Sequence, residues 1–297
     1  MRFSRVDNSI YRFLGVIIKE SVKNIFIPTR RFKAEKINLD SKKIQVWMIG
    51  HATILINMYG TIILTDPVLA RWLPIPRRRI LPGYEALDLP QIDYCILSHA
   101  HQDHFNVATL KKLRKKIKHL ILPKNCRDLI KGINFKKITV LRWMEIFQNN
   151  EIKISSYQTK HWGKRYPWQK IKRGFNSYVF EKRNKSVYFA GDTAYGKTFR
   201  KIGKSKKIDI ALLPIGAYGK DQEDNNYHMN PEDALRAFSD LKAKYLIPIH
   251  WGNFKLSKEP MNEPIEWLKK LINKTKGLKE RVCILRNGAY FEFKNFL

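Results

Sequence analysis

The stretch Ser98-His99-Ala100-His101-Gln102-Asp103-His104 puts three histidines and an aspartate into six consecutive positions. Imidazole and carboxylate are donors that suit a borderline divalent ion such as zinc, and such an ion can drive hydrolysis at neutral pH. A solvated polar loop is the plain alternative. The chain has only eight histidines in 297 residues, so three in one short segment ask for partners elsewhere.

Those partners exist. Tyr157-Gln158-Thr159-Lys160-His161-Trp162 presents His161 after a strand-like run, and Val187-Tyr188-Phe189-Ala190-Gly191-Asp192-Thr193 ends another run in Asp192. Leu246-Ile247-Pro248-Ile249-His250-Trp251-Gly252 does the same with His250, and Asn225 to Pro231 sets His228 just before a helical pattern. Adding Gly50-His51-Ala52, these segments hold seven of the eight histidines, and His119 stands apart. A single histidine after a strand is most often structural. Five imidazoles and two carboxylates in similar strand-end contexts form a stronger pattern, because metal sites need ligands delivered from rigid elements.

The elements that must position them follow from periodicity. Strands are expected at 45–49, 52–58, 61–65, 94–97, 119–122, 138–141, 151–157, 177–181, 186–190, 208–214, 245–250 and 281–285. A helix over 106–118 carries Val107, Leu110, Leu113 and Ile117 on one face with Asn106 as N-cap. Further helices are expected over 231–243, where Pro231 takes the first turn after Asn230, and over 263–275. There is no repeat, low-complexity tract or Gly/Ser linker. The reading is a basic extension over 1–43 and one domain over 44–297, rich in strands and with few helices.

Composition adds bounds. With 44% hydrophobic residues the chain is globular. Cys95, Cys126 and Cys283 are widely spaced and odd in number, which fits buried free thiols in a reducing compartment. No apolar run reaches the ~20 residues of a membrane span, and no signal-peptide cleavage pattern follows Phe13 to Ile18. The expectation is a cytoplasmic chain, peripheral on the inner face of a membrane where it meets one. Fifty-seven Lys plus Arg against 26 Asp plus Glu give a formal charge of +31, which favours polyanionic partners: an anionic membrane surface or nucleic acid. Ile10, Phe13, Leu14, Ile17 and Ser21 recur at helical spacing, so the extension is either an interfacial amphipathic helix or a helix docked on the protein's own core. Oligomeric state is left open, a dimer included.

The order H-x-H-x-D-H, a lone His, a strand-terminal Asp and a strand-terminal His resembles the metallo-β-lactamase fold superfamily. Within it, "WMIGHATILI", "LTDP", "KHWGKR", "FAGDTAYG", "HMNPEDA" and "IHWGNF" resemble the N-acylphosphatidylethanolamine-hydrolysing phospholipase D branch. The ascorbate-6-phosphate lactonase-like group shares several of these motifs. The resemblance covers roughly 44–255 and implies an α/β fold, an αββα sandwich of two mixed β-sheets flanked by helices. It also implies two zinc ions (Zn2+), other divalent metals remaining open. His99, His101 and His161 would hold one, Asp103, His104 and His250 the other, and Asp192 would bridge them. Asp103 and His228 are then the catalytic candidates. His228 would contact the substrate phosphate or assist the leaving group, the alternative being a cap on the helix at Pro231. His51 and Asp66 would support the ligands. Gln102 stands where the branch carries a substrate-facing tyrosine, so headgroup preference is expected to shift.

The implied activity is hydrolysis of a phospholipid phosphodiester with release of phosphatidic acid. A lactonase or phosphodiesterase on a small soluble anion is the first alternative. A ribonuclease would use the charge, but no RNA-binding module is appended, so nucleic acid is disfavoured. A non-catalytic binding module is disfavoured because all seven ligand positions are intact.

Overall fold

A computed structural model describes residues 27–73, 76–166, 168–219 and 226–294. Two sheets face each other. The first has seven strands in the order β13-β1-β2-β3-β4-β5-β6, and the second six in the order β12-β11-β10-β9-β8-β7. The strands are β1 (Ile44–Gly50), β2 (Thr53–Met58), β3 (Thr61–Thr65), β4 (Ile92–Ile96), β5 (Ile117–Pro123), β6 (Ile138–Leu141), β7 (Ile146–Gln148), β8 (Lys153–Gln158), β9 (Asn176–Lys182), β10 (Lys185–Phe189), β11 (Ile210–Pro214), β12 (Tyr245–Ile249) and β13 (Tyr290–Glu292). Pairing is parallel along β3-β4-β5-β6 and β10-β11-β12, and antiparallel elsewhere, so both sheets are mixed.

Strand side chains alternate between faces, and here both faces are covered, which explains the nearly continuous apolar runs. Val46, Ile54, Ile63 and Ile96 of the first sheet meet Ile154, Phe180, Phe189 and Leu212 of the second in the central layer. The opposite face of the first sheet (Trp47, Leu55, Leu64, Leu120) packs on α1 (Val107–Leu113) through Leu110 and Leu113. The opposite face of the second (Tyr188, Ala211, Leu213, Leu246) packs on α2 (Lys197–Ser205), α3 (Pro231–Asp240) and α4 (Glu263–Lys274). This is the αββα sandwich.

Several expectations needed correction. The helix expected over 106–118 ends at Leu113: Lys116 N–H turns back to Leu113 O at 2.8 Å and Ile117 already pairs with Ile92 in the sheet. Asn106 does cap it, accepting from Thr109 N–H at 2.8 Å. The run 281–285 is no strand; it makes one bridge, Leu246 to Val282. Helix α2, strand β7 and strand β13 were not anticipated. Residues 27–43 lie on the domain, with Glu35 N–H donating to Gly288 O at 2.8 Å and Asn57 Nδ2 donating to Asp40 O at 2.8 Å. The amphipathic pattern over 10–21 lies outside the described residues. Among the described residues no helix is long and apolar enough to cross a membrane.

Candidate metal centre

Carboxyl-terminal strand ends carry the site, which is where mixed and parallel sheets present ligands. β3 delivers Asp66, β4 the loop with His99 to His104, β8 His161, β10 Asp192 and β12 His250, while the β1–β2 turn delivers His51. His51, Asp66 and His250 adopt φ of 64°, 34° and 60°, a left-handed conformation that non-glycine residues enter at a cost and that clusters at functional sites. Gly191, at φ +59°, lets the Asp192 loop lie on the ligand loop: a Cβ there would sit 2.6 Å from Ser98 Cβ.

Two groups of four donors converge, His99, His101, His161 with Asp192, and His51, Asp103, His104 with His250; Asp66 forms a third group with His99 and His104 that overlaps both. In the first, His99 Nε2 is 2.9 Å and His161 Nε2 is 3.2 Å from His101 Nδ1. In the second, Asp103 Oδ2 lies 3.0 Å from His51 Nε2 and 3.4 Å from both His104 Nε2 and His250 Nε2. Asp192 Oδ2 reaches into both, 3.1 Å from His104, 3.2 Å from His250, 3.9 Å from His99 and 4.0 Å from His161. His228 Nε2 stands 3.3 Å from the same oxygen. Gln102 is half-buried between the two groups' ligands.

Outer contacts set ring orientation. His161 Nδ1–H donates to Tyr227 O at 3.0 Å, which leaves Nε2 as the lone-pair nitrogen facing His101. His104 Nδ1 pairs with Asp66 Oδ2 at 2.7 Å, and Asp66 is itself held by Ser98 N–H at 2.7 Å and Ser98 Oγ–H at 2.6 Å. Carboxylate–imidazole pairs of this kind raise donor strength and fix the tautomer at metal sites. Asp66 contacts the His104 ring and His51 contacts the Asp103 carboxylate, and each also falls within a donor group.

Electrostatics separate the imidazoles. Burial holds His99 and His161 well below the ordinary range, His101 at about 4 and His51 at about 3, so all four are neutral donors. Burial also acts on His104 and His250, but the Asp192 and Asp103 carboxylates outweigh it, lifting His104 well above the usual range and His250 to about 9. Burial would raise Asp103 and Asp192; His104 first, with the other imidazoles, instead holds both well below the usual carboxylate range.

The donor set fits a cation. Three neutral imidazoles turn nitrogen toward nitrogen, an arrangement that is repulsive between lone pairs unless a proton or a metal ion lies between them. His101 Nε2, His104 Nε2, His250 Nε2 and Asp192 Oδ1 are buried without a hydrogen-bond partner among the described residues. Ligand arms of about 2.0–2.1 Å in a tetrahedron put donor atoms about 3.3 Å apart. The separations of 2.9–3.4 Å above lie near that edge, while Asp192 Oδ2 stands wider, 3.9 and 4.0 Å from His99 and His161.

Sequence reasoning missed the outer clamps. Arg165 donates through Nη1 to Ala100 O at 3.0 Å and Phe105 O at 2.8 Å, bracing the ligand loop, and Trp162 packs 4.2 Å from His101 between ring centroids. Arg78 is fully buried, donating to Val68 O, Ala70 O and Asn253 Oδ1 and lying 4.3 Å over Phe254, whose edge meets His51 at 5.1 Å. "KHWGKR" held the signal for Arg165, though which carbonyls it reaches is a long-range fact. Nothing in the sequence marks Arg78 as buried.

A mixed αββα sandwich with clustered His and Asp donors at its strand ends defines the metallo-β-lactamase class of metal-dependent hydrolases. The chain belongs to the β-lactamase superfamily: residues 61–251 match that family's domain. It is 33% identical over 241 residues to an uncharacterised protein of Mycobacterium tuberculosis (strain ATCC 25618 / H37Rv), covering 77% of this chain and 64% of that one. The chain therefore spans less than two thirds of that relative's length. It is 30% identical over 274 residues to N-acyl-phosphatidylethanolamine-hydrolyzing phospholipase D 1 of Caenorhabditis elegans, covering 86% of this chain and 76% of that one. A UPF0173 metal-dependent hydrolase of Bacillus cereus (strain B4264) is 29% identical, covering 76% and 92%. Among solved structures, an isothiocyanate hydrolase from Delia radicum gut bacteria superposes with a TM-score of 0.69 at 21% identity, over 85% of this chain and 100% of that one. That likeness establishes the fold.

Proposed function

We propose that the protein is a two-metal hydrolase of a phospholipid phosphodiester, of phospholipase D type, releasing phosphatidic acid. The observation that carries this is Asp192, a member of one donor group, whose Oδ2 stands 3.1 and 3.2 Å from His104 and His250 of the other, with His228 Nε2 3.3 Å away. The relative named as an N-acylphosphatidylethanolamine hydrolase, alike over 86% of this chain, supplies the substrate class.

Ions held by His99, His101 and His161, by Asp103, His104 and His250, and by Asp192 between them would supply a nucleophilic water at neutral pH and withdraw charge from the phosphoryl oxygens; zinc suits the donors. The chain's own groups do the rest. His51 fixes the Asp103 carboxylate, and Asp66 fixes the His104 ring. His228, which touches Asp192 through Nε2 but belongs to neither donor group, is the side chain placed for the substrate, where it hydrogen-bonds the phosphate or delivers the proton that the departing headgroup alcohol needs. As water adds to phosphorus, the bond to that alcohol breaks and phosphatidic acid remains.

The test is incubation of the purified protein with a mixed lipid extract and comparison of products by mass with and without a strong chelator. Phosphatidic acid appearing only without chelator is expected. Turnover of a soluble lactone or phosphodiester with no lipid product would support the small-anion alternative.

A further inference from the structure

Residues 160–175, from Lys160 through His161 to the start of β9, contain six Lys and Arg and no Asp or Glu. Both ends of this loop are clamped. At its start Trp162 packs on His101 and Arg165 holds the carbonyls of Ala100 and Phe105. At its return Arg173 binds Asp128, and Gly174 N–H donates to Lys124 O at 2.8 Å. Between the clamps the side chains turn outward. Trp168 is 71% exposed and Ile171 45%, and Lys170 and Lys172 flanking Ile171 are exposed as well. Beside the return limb stand Trp143, which donates through Nε1 to Phe175 O at 3.0 Å, and Met144, which is 72% exposed.

Scattered exposed apolar residues need no explanation. A rigidly anchored loop that presents a tryptophan, an isoleucine and only positive charges is different, because large aromatics and lysines together suit a lipid–water boundary. We propose that loop 162–175, with Trp143 and Met144, docks the protein on an anionic lipid interface and sets the mouth of the metal centre against the layer that holds its substrate. This rests on the phospholipid reading above and adds the surface that meets the lipid. Charge complementarity selects the partner: the lysines attract acidic headgroups while Trp168 and Ile171 enter the boundary. Through Arg165 the docked loop is tied directly to the segment that carries four of the candidate donors, His99, His101, Asp103 and His104.

The experiment is sedimentation of the full chain with phosphatidylethanolamine vesicles containing phosphatidylglycerol, at low and high salt. Trp168→Ser combined with Ile171→Ser should bind about tenfold more weakly, which is about 1.4 kcal/mol, while Trp168→Phe should retain binding within about threefold. Lys170→Gln with Lys172→Gln should weaken low-salt binding by roughly fivefold per lysine. Bound metal and melting temperature should match the parent, which separates docking from misfolding. Unchanged partitioning of the Trp168/Ile171 variant would overturn the proposal, as would binding that depends solely on residues 1–26. A change in oligomeric state without lipid, or loss of RNA binding in place of vesicle binding, would assign the face to another partner and also overturn it. Intact, variant-sensitive vesicle binding with no chelator-sensitive lipid turnover would remove the phospholipase reading and leave the docking surface supported.

Discussion

Asp192→Asn keeps the shape of the proposed shared ligand and deletes its charge. In the native site Asp192 Oδ2 lies 3.1, 3.2 and 3.3 Å from nitrogens of His104, His250 and His228. At an effective dielectric of about 20, one charge pair at such a distance is worth about 5 kcal/mol. Water entry and relaxation recover part of that, leaving several kcal/mol of lost attraction for whatever cation the donors hold. A loss of about 4 kcal/mol from transition-state stabilisation corresponds to roughly a thousandfold in kcat/KM. The assay is lipid turnover in parallel with elemental metal analysis and thermal melting. The parent should carry about two zinc-like ions per chain; the variant should lose at least one, lose about three orders of magnitude in turnover, and still fold. A variant that keeps both metals and turns over within tenfold of the parent would refute the shared-ligand geometry.

Other perturbations test separate links. Gly191→Ala demands a Cβ 2.6 Å from Ser98 Cβ at φ +59°, so it should lower the melting temperature and reduce bound metal together; a variant indistinguishable from the parent in both would refute the close-approach argument. Gln102→Tyr should shift the ratio of rates on N-acylated and plain phosphatidylethanolamine by several-fold, on the order of 1 kcal/mol, with metal content unchanged; an unchanged ratio puts residue 102 outside the pocket. Arg78→Met leaves the carbonyls of Val68 and Ala70 and the Asn253 amide oxygen without their buried donor, so denaturant unfolding should show a loss of about 3 kcal/mol; a loss below 1 kcal/mol would mean the cavity hydrates freely. Burial lifts the Cys126 thiol to about 12 and the Cys283 thiol to about 11, so at pH 8 a thiol reagent should label the native protein slowly and the unfolded protein fast; rapid native labelling would contradict the packing.

The donors were readable because histidine is scarce here and because each one follows an apolar run. His161, Asp192 and His250 each stand just past a strand, and β8, β10 and β12 run in the same direction within one sheet, so the three ends reach one edge. Elements with few apolar residues were harder. Helix α2 buries only Phe199, Ile202 and Gly203 among basic residues, too sparse a stripe to stand out over nine positions. β13 is three residues long and is a strand only because β1 offers an edge, where Tyr290 stacks on Trp47 at 5.5 Å. The opposite error arose at 281–285, an apolar run that looks like a strand but makes only one bridge. Periodicity registers apolar content; it does not register whether a partner edge is free.

Charge shows the same limit. The run Lys111-Lys112-Leu113-Arg114-Lys115-Lys116 reads as a solvated basic face suited to an anionic surface, yet Lys116 Nζ is spent on the carbonyls of Leu87 and Leu89. Arg78, in the connection between β3 and β4, is fully buried, and Arg165 braces the loop of residues 99–104. A formal +31 is therefore several populations: cations that hold backbone together, cations paired with carboxylates such as Arg173 with Asp128, and the exposed remainder. Only the remainder can meet a polyanion. Lys170 and Lys172 belong to it and lie beside Trp168 on a loop fastened to the donors, which makes their position more informative about a partner than the total charge.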